Sequence, residues 1–570
     1  MSFKNTVKSG FCVALLLSCF FSSVVYPQGF LKTRGQNIVN GRNENILLRG
    51  MGLGGWMLQE GYMLGIDNEG QQYKIRERIN EFIGPQETQK FYNTWLQKHT
   101  TRADIDAMKS WGFNSVRLPM HYNLYTLPIE AESVAGQDTW LEQGFAMTDS
   151  LLAWCKANEM YLILDLHAAP GGQGNDFNIS DRNPDLPSLW DSAENQRKTV
   201  ALWKKLAQRY KNESWIGAYD LINEPNWGFQ DPVNDKNGLK EQKNEILKKV
   251  LVDITKAIRE VDQRHMIIIE GNGWGNNYQG MLPPWDNNMV LSFHKYWNYN
   301  NQDAIKGMLE HREKYNVPVW LGETGENSNV WFNEAITLFE RNNIGWCWWP
   351  LKKLGFNNPL EIPSNPSYQQ VLNYWNKKGP RPESSVAAQG FQTLLENLEF
   401  SKNTVHHDVI DAMFRQVHTK ATKPFKNHVL TKKTALNLAA VDYDLGRNGF
   451  AYFDTDTADY HISTGKRSAG NRGRVYRNDG VDIQKDSSGT GYFVSNMEQG
   501  EWLQYTIQVQ DAGTYAIQLE EAAAPKGKLT LLLNQKPQGK SLKLTAGVHQ
   551  LKVRVEQSGP TLKYIRLSAL

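Results

Sequence analysis

Eight short apolar runs, separated by stretches of helical periodicity, occupy residues 46–352 and constrain the fold more than anything else in the chain. The runs are ILLRGMGLGG (46–55), SVRLPM (115–120), YLILDLH (161–167) and IGAYDLINE (216–224), then MIIIEGNGW (266–274), MVLSFHKY (289–296), VPVWLGETG (317–325) and IGWCWWPLK (344–352). Most lack apolar–polar alternation, so they read as strands buried on both faces. Between them, TRADIDAMKSWG and NEILKKVLVDITKAIREVD carry apolar residues at i, i+3, i+4 and i+7, the stripe of a helix with one buried side. Strand–helix alternation repeated eight times predicts a (β/α)8 TIM barrel, in the α/β class. A doubly wound open sheet usually carries a Gly-rich phosphate turn between its first strand and helix. The glycines of GMGLGG lie within or at the end of a strand, with no helix directly after them.

Polar side chains collect at the C-terminal ends of these runs: His167, Asn223, Glu224, His294, Tyr296 and Glu323. In a barrel those ends share one face, the face that carries catalytic groups. A hydrogen-bonded rim residue would explain any one of them, but the same placement on strand after strand points to a common site. Glu224 and Glu323 close strands four and seven. These strands stand on roughly opposite sides of the mouth, so both carboxyl groups can reach its centre. Two carboxylates facing one bond are the equipment for glycoside hydrolysis, provided one is protonated and the other ionised.

The two ends of the chain are built differently. Lys4 and Lys8 precede the apolar run FCVALLLSCFF, too short to span a bilayer, and the pattern reads as a secretory signal peptide over 1–28. Ser22 and Ser23 offer small residues for cleavage, whereas Leu16-Leu17-Ser18-Cys19 resembles a lipoprotein cleavage box that would leave a lipidated Cys19. The expectation is a secreted, extracellular protein, with a lipid anchor as the alternative and no transmembrane span. Cys155 and Cys347 sit in apolar runs far apart, which excludes a disulfide scaffold and suggests no metal cluster. A formal net charge of +3 gives no reason to expect nucleic acid as partner.

Of 19 Trp, only Trp502 lies beyond Trp375, so the C-terminal region should be a separate unit. The barrel is expected over 29–378. GPRPESSVAAQG then breaks the pattern, and FQTLLENLEF and DVIDAMFRQVH read as helices of a linker or extension over 379–435. From 436 to 570 the strands alternate (EWLQYTIQVQ, TYAIQLEEA, KLTLLLN, HQLKVRVEQ, TLKYIRLSAL), the pattern of an all-β sandwich or jelly roll.

LINEP, at the end of the fourth run, is similar to the signature of clan-A retaining glycosidases. With RLP in strand two, DLH in three, HKY in six, GET in seven and a Trp-rich strand eight, the chain resembles glycoside hydrolase family 5 over about residues 30–375. RGMGLGGWM, DLHAAPGGQ and GWCWWPLKK look most like the exo-β-1,3-glucanase branch, and also like some other β-glucanases. The resemblance implies Glu224 as general acid/base, Glu323 as nucleophile, Asn223 at the sugar 2-hydroxyl and Arg117 beside the nucleophile. It also implies His294 and Tyr296 near both carboxylates, His167 in the substrate site and Trp349 as the sugar floor, with Trp346 and Trp348 competing for that register. Thr324 stands where several relatives carry Trp or Phe.

The implied function is a retaining β-glucan hydrolase, β-1,3-linked substrates favoured. A β-1,4-glucanase, a β-mannanase and a non-catalytic polysaccharide-binding protein are the alternatives, and exo and endo action stay open. Polysaccharide is the expected partner, the protein is expected to be a monomer, and catalysis needs no cofactor or metal. Trp227, Trp274, Trp297 and Trp331 follow strand ends and are candidate sugar platforms, with the polar loop 228–242 as a candidate cleft wall. The C-terminal region resembles family 6 carbohydrate-binding modules through YDLGRNGFAYFDTD, YRNDGVDIQ, GEWLQYTI, DAGTY and YIRL. Tyr476 and Trp502 are its candidate binding residues, Tyr452 and Phe453 further platforms, and Asp442, Asp454 and Asp456 a candidate structural Ca²⁺ group.

Overall fold

Strands that are apolar on both faces must be covered on both sides, and here the sheet achieves this by closing on itself. The computed structural model describes residues 29–296, 298–456, 471–487, 489, 491–522 and 526–570. The expected export signal, with Cys12 and Cys19, and Trp297 lie outside the described residues. The barrel strands are β1 (Arg49–Gly52), β2 (Ser115–His121), β3 (Tyr161–Ala168), β4 (Ile216–Asp220), β5 (Met266–Glu270), β6 (Met289–Lys295), β7 (Val319–Gly325) and β8 (Gly345–Trp349). Each pairs in parallel with the next, and β8 closes on β1. A short antiparallel hairpin, Lys32–Arg34 with Asn37–Val39, lies at the N-terminal end of the barrel, where Thr33 N–H donates to Asn288 Oδ1.

β1, β4, β5, β6 and β8 stop earlier at their C-terminal ends than the apolar runs do. β4 ends at Asp220, so Glu224 stands four residues beyond it. Its backbone is left-handed (φ 43°), and its N–H donates to Glu270 Oε2 instead of the ladder. β8 ends before Pro350, which has no N–H to extend the ladder. These departures convert strand ends into a rim from which side chains turn inward.

TRADIDAMKSWG forms the helix Arg102–Trp111, started by a capping box between Thr101 and Asp104. NEILKKVLVDITKAIREVD forms Glu245–Arg259. The helices expected over 379–435 pack on the barrel. Ser384–Asn397 lies against Pro366–Trp375 and the long helix Gln72–Lys98, burying Phe391 and Leu394 in a satellite core. His407–Met413 packs on Asn329–Arg341, and its Val409 and Met413 join the main core.

Beyond Ala435 two antiparallel sheets enclose a core containing Tyr505, Leu551, Val553, Ile565 and Leu567. One holds Trp502–Val509, Gly547–Gln557 and Lys528–Leu533. The other holds Leu436–Ala439, Tyr564–Ala569, Gly513–Glu520 and Ser541–Leu544. His428–Leu430 adds to the first sheet in parallel. Cys155 and Cys347 are buried and unpaired with each other. Among the described residues, no helix is long and apolar enough to cross a membrane.

Candidate active site

Arg117, in the middle of β2, is fully buried and organises the barrel mouth. Its Nε and Nη2 donate to Asp220 Oδ2 (2.9 and 2.8 Å), and Nη2 also reaches Asn223 Oδ1 (2.9 Å) and Glu270 Oε1 (3.0 Å). Its Nη1 donates to Glu323 Oε1 (2.5 Å) and lies 3.2 Å from Asp165 Oδ2. One guanidinium therefore meets four carboxyl groups, a planar fork matched to planar acceptors. Burial pushes the Asp165 and Asp220 carboxyls well above the ordinary range, with Arg117 opposing.

Glu224 and Glu323 converge above this base. His294 Nδ1 lies 2.7 Å from Glu224 Oε1 and 3.7 Å from Glu323 Oε2. An oxygen of each glutamate lies within 4.8 Å of the other. Tyr296 OH donates to Glu323 Oε2 (3.0 Å), so Arg117 and Tyr296 hold the two oxygens of Glu323. Burial pushes the Glu224 carboxyl up to about 7, against the pull of His294. Burial works against the charged form of His294, but Glu270 and Glu323 outweigh it and hold the imidazole well above its usual range. One carboxyl thus keeps a proton near neutrality while two donors stabilise charge on its neighbour.

On the opposite wall, His167 Nδ1 meets Asp165 Oδ2 (2.7 Å), and its Nε2 lies 3.2 Å from Asn223 Nδ2. Burial lowers the His167 imidazole to about 3, leaving a neutral ring. Trp349 stacks on it at 5.0 Å and 8°, and its indole N–H donates to Tyr62 OH. A β-carbon at Gly54 would come within 2.7 Å of the Trp349 ring, and Gly52 is crowded by the same indole. Gly52 and Gly54 of GMGLGG make room for this indole. Trp346 and Trp348 are buried away from the cavity, and Trp349 is the strand-eight tryptophan that borders it.

His167, Glu224, His294, Tyr296, Glu323 and Trp349 border one cavity of ≈ 730 Å³, while Arg117, Asp165, Asp220, Asn223 and Glu270 are fully buried outside its lining. Its wall also carries Glu60, Tyr62, Asp176, Asn178, Leu239 and Glu326, none of which the sequence singled out except through the loop holding Leu239. Trp274 borders it too, in a left-handed conformation (φ 58°) held by its N–H on Pro225 O and its indole on Asp176. A non-glycine residue held there costs about 1–3 kcal/mol unless its surroundings enforce it. The adjacent Gly275 is required: it has φ +84°, and a β-carbon would sit 3.0 Å from Glu270 Oε2. Trp227 lies under Arg182, and Trp331 is core, its indole bonded to Asn298 O. Trp331 is therefore packing and not a platform. Asp165, Asp220 and Glu270 were also missed. Asp165 shares a strand face with His167, and Glu270 ends MIIIE as Glu323 ends its run, so both had a legible signal.

Residues 76–355 match the family model described as cellulase (glycosyl hydrolase family 5). The barrel is a family 5 glycosyl hydrolase domain. Residues 477–561 match a carbohydrate binding module model, that of family 35 and not family 6. A beta-xylosidase of Phanerodontia chrysosporium is 24% identical, over 67% of this chain and 85% of its own. Endoglucanase C of Acetivibrio thermocellus is 25% identical, over 57% and 96%. A probable glucan 1,3-beta-glucosidase A of Aspergillus clavatus is 28% identical, over 51% and 64%. The family 5 domain makes the chain an O-glycosyl hydrolase.

The module appended to the family 5 domain places its candidate residues unevenly. Tyr476 packs between Phe425 (5.8 Å) and Tyr492 (4.7 Å), and its hydroxyl bonds Asp442 and accepts from Lys426 Nζ. Its ring is clamped rather than presented. Trp502 is half-buried on the sheet face, with Lys552 Nζ 3.6 Å from its ring centre. Tyr452 is buried and Phe453 exposed. Asp442 ion-pairs with Lys426, away from the turn in which Asp454 Oδ1 accepts from Asp456 N–H. Among the described residues, these three aspartates do not form one ligand group.

Proposed function

We propose that the protein is a retaining β-glucan hydrolase in which Glu323 attacks the anomeric carbon and Glu224 acts as acid, then base. The observation that carries this reading is the pair of carboxyl groups with oxygens within 4.8 Å of each other, one holding its proton to about pH 7 and the other bonded by Arg117 and Tyr296. Retaining enzymes place these groups about 5–5.5 Å apart, whereas inverting ones leave about 6.5–9.5 Å for a water. In the first step the Glu323–C1 bond forms as the glycosidic bond breaks, and the Glu224 proton goes to the departing oxygen. In the second, Glu224 takes a proton from water, the C1–OH bond forms and Glu323 leaves. Asn223, next to Glu224 and bonded by Arg117, is assigned to the sugar 2-hydroxyl by the family resemblance, as is Trp349 to the sugar floor.

β-Glucan is favoured by the glucan-active names among the relatives, and β-1,3 linkage by the resemblance of the β1, β3 and β8 motifs to exo-β-1,3-glucanases. A polymer substrate fits an exported enzyme. The test is a panel of laminarin, barley mixed-linkage glucan, carboxymethylcellulose, mannan and xylan. Glucose or short oligomers released from laminarin support the linkage; release from another glycan alone discards β-1,3 and keeps the mechanism.

Two further expectations follow from the site. With Glu224 needed protonated and pushed up to about 7, kcat/KM should fall about tenfold per pH unit above neutrality. An aryl glucoside with an activated leaving group, which needs no proton, should lose most of that alkaline limb in Glu224→Gln, measured as the pH profile of the first step. Trp349→Ala should lower kcat/KM about 10- to 100-fold, mostly through KM, because the lost face contacts the sugar in ground and transition states alike.

A further inference from the structure

The contact between the module and the barrel is built from polar groups that water does not reach. The module's turn 476–479 enters between the N-terminal ends of helices Asn329–Arg341 and His407–Met413. Asn329 N–H donates to Asn478 O (2.8 Å), and Asn478 Nδ2 donates to Asn327 O (2.8 Å). Asp408 Oδ2 accepts from Asn478 N–H (2.7 Å) and Asn329 Nδ2 (2.8 Å), and Asn329 Nδ2 also reaches Asp479 Oδ1 (3.1 Å). Arg477 neutralises Asp479 at 2.7 Å and donates to Tyr443 O inside the module. All seven residues are at most 2% exposed. Contacts between domains are ordinarily more polar and wetter than a core. Several of these buried groups are partnered across the boundary, while Asn478 Oδ1 has no hydrogen-bond partner among the described residues, and separation would strip several bonds at once.

The position of this network matters more than its strength. Asn327 is four residues beyond Glu323, on the turn leaving β7. Between them Glu326, left-handed at φ 53°, borders the cavity and pairs with Lys353 (2.7 Å). Ser328 Oγ accepts from Trp331 N–H and starts the helix. Trp331 then braces the neighbouring loop, its indole donating to Asn298 O and its carbonyl accepting from Asn300 Nδ2. Asn300 Oδ1 accepts from Lys295 Nζ, beside the Tyr296 that bonds Glu323. The segment gripped by the module thus supports both the nucleophile strand and the loop that supplies its hydroxyl donor.

We propose that the 476–479 turn of the C-terminal module is a positioning element of the active site, fixing the β7 turn so that Glu323 and its Tyr296 partner reach working geometry only with the module docked. Asn478 and Asp479 touch no substrate and act through Asn327 and Asn329. The proposal rests on the assignment of Glu323 as nucleophile. It also removes this edge of the module from the surface open to a glycan chain, so sugar bound by the module must meet another face.

The test uses the full chain with Asn478→Ala and, separately, Asp479→Asn. Asn478→Ala deletes the side-chain bonds to Asn327 O and Asn329 Oδ1 but keeps both backbone bonds of the turn. Steady-state kcat and KM on the polysaccharide identified by the panel are read with the unfolding midpoint, and a slow 2-fluoroglycoside inactivator counts competent sites, so that unfolded protein is not mistaken for slow enzyme. Per competent site, Asn478→Ala should lose at least tenfold in kcat with KM changed less than threefold, and the pH profile should shift as Glu323 moves relative to Glu224. Asp479→Asn, which keeps an acceptor for Asn329 but turns an NH2 onto the donors of Arg477 and Tyr443, should lower the unfolding midpoint and kcat together. A wild-type kcat and pH profile in Asn478→Ala, whatever happens to its midpoint, would overturn the proposal. Full activity in Glu323→Ala would instead overturn the assignment beneath it, so the two failures are distinguishable.

Discussion

Glu323→Ala should fold normally and retain at most about one ten-thousandth of wild-type kcat on polysaccharide, since the covalent route loses its nucleophile. The substitution removes a side chain at the cavity wall whose two oxygens are held by Arg117 Nη1 and Tyr296 OH. It leaves the Arg117 contacts with Asp220, Asn223 and Glu270 intact. Azide separates the two carboxylates chemically. In Glu323→Ala, azide entering the vacated space with an activated β-glycoside should give the α-glycosyl azide, by single displacement. In Glu224→Ala, azide should attack the glycosyl-enzyme and give the β-glycosyl azide. The reverse pattern would exchange the two roles.

Arg117→Met should produce the largest loss of stability of any single change at the mouth, about 3–5 kcal/mol, because it leaves buried carboxyl groups without their shared cation. Asp165, Asp220, Glu270 and Glu323 all contact the guanidinium, and burial already drives the Asp165 and Asp220 carboxyls upward. Without Arg117 the Asp165 and Asp220 carboxyls rise further above their unfolded values, so the folded state binds more protons than the unfolded one. Stability should therefore be regained as pH falls and lost as it rises. Denaturant midpoints of variant and wild type, compared at pH 5 and pH 8, should differ more at pH 8. A pH-independent difference would show that the carboxyl groups do not depend on Arg117 in this way.

The architecture was legible because a doubly buried strand must be apolar along its length, and eight such runs with helical spacers leave few folds open. Glu224 and Glu323 were legible because they stand at or near the ends of such runs. The strand ends themselves were not: LINE reads as a continuation of β4, yet Glu224 leaves the ladder through a left-handed backbone that depends on Glu270, 46 residues away. Glu60, Tyr62 and Glu326 reach the cavity from loops without periodicity. Trp331 read as a platform because it follows β7, but it is buried as the brace of the β6 loop. The grip of the 476–479 turn on the barrel left no local signal either: each of its residues suits an exposed turn as well as a buried one, and only the tertiary arrangement shows which.

Proton NMR of the first product, followed from mixing, tests the double-displacement mechanism most directly. With two carboxyl groups this close, the β-anomer should appear first and mutarotate later to the α-anomer. An α-anomer appearing first would mean single displacement by water, and would contradict the role given to Glu323.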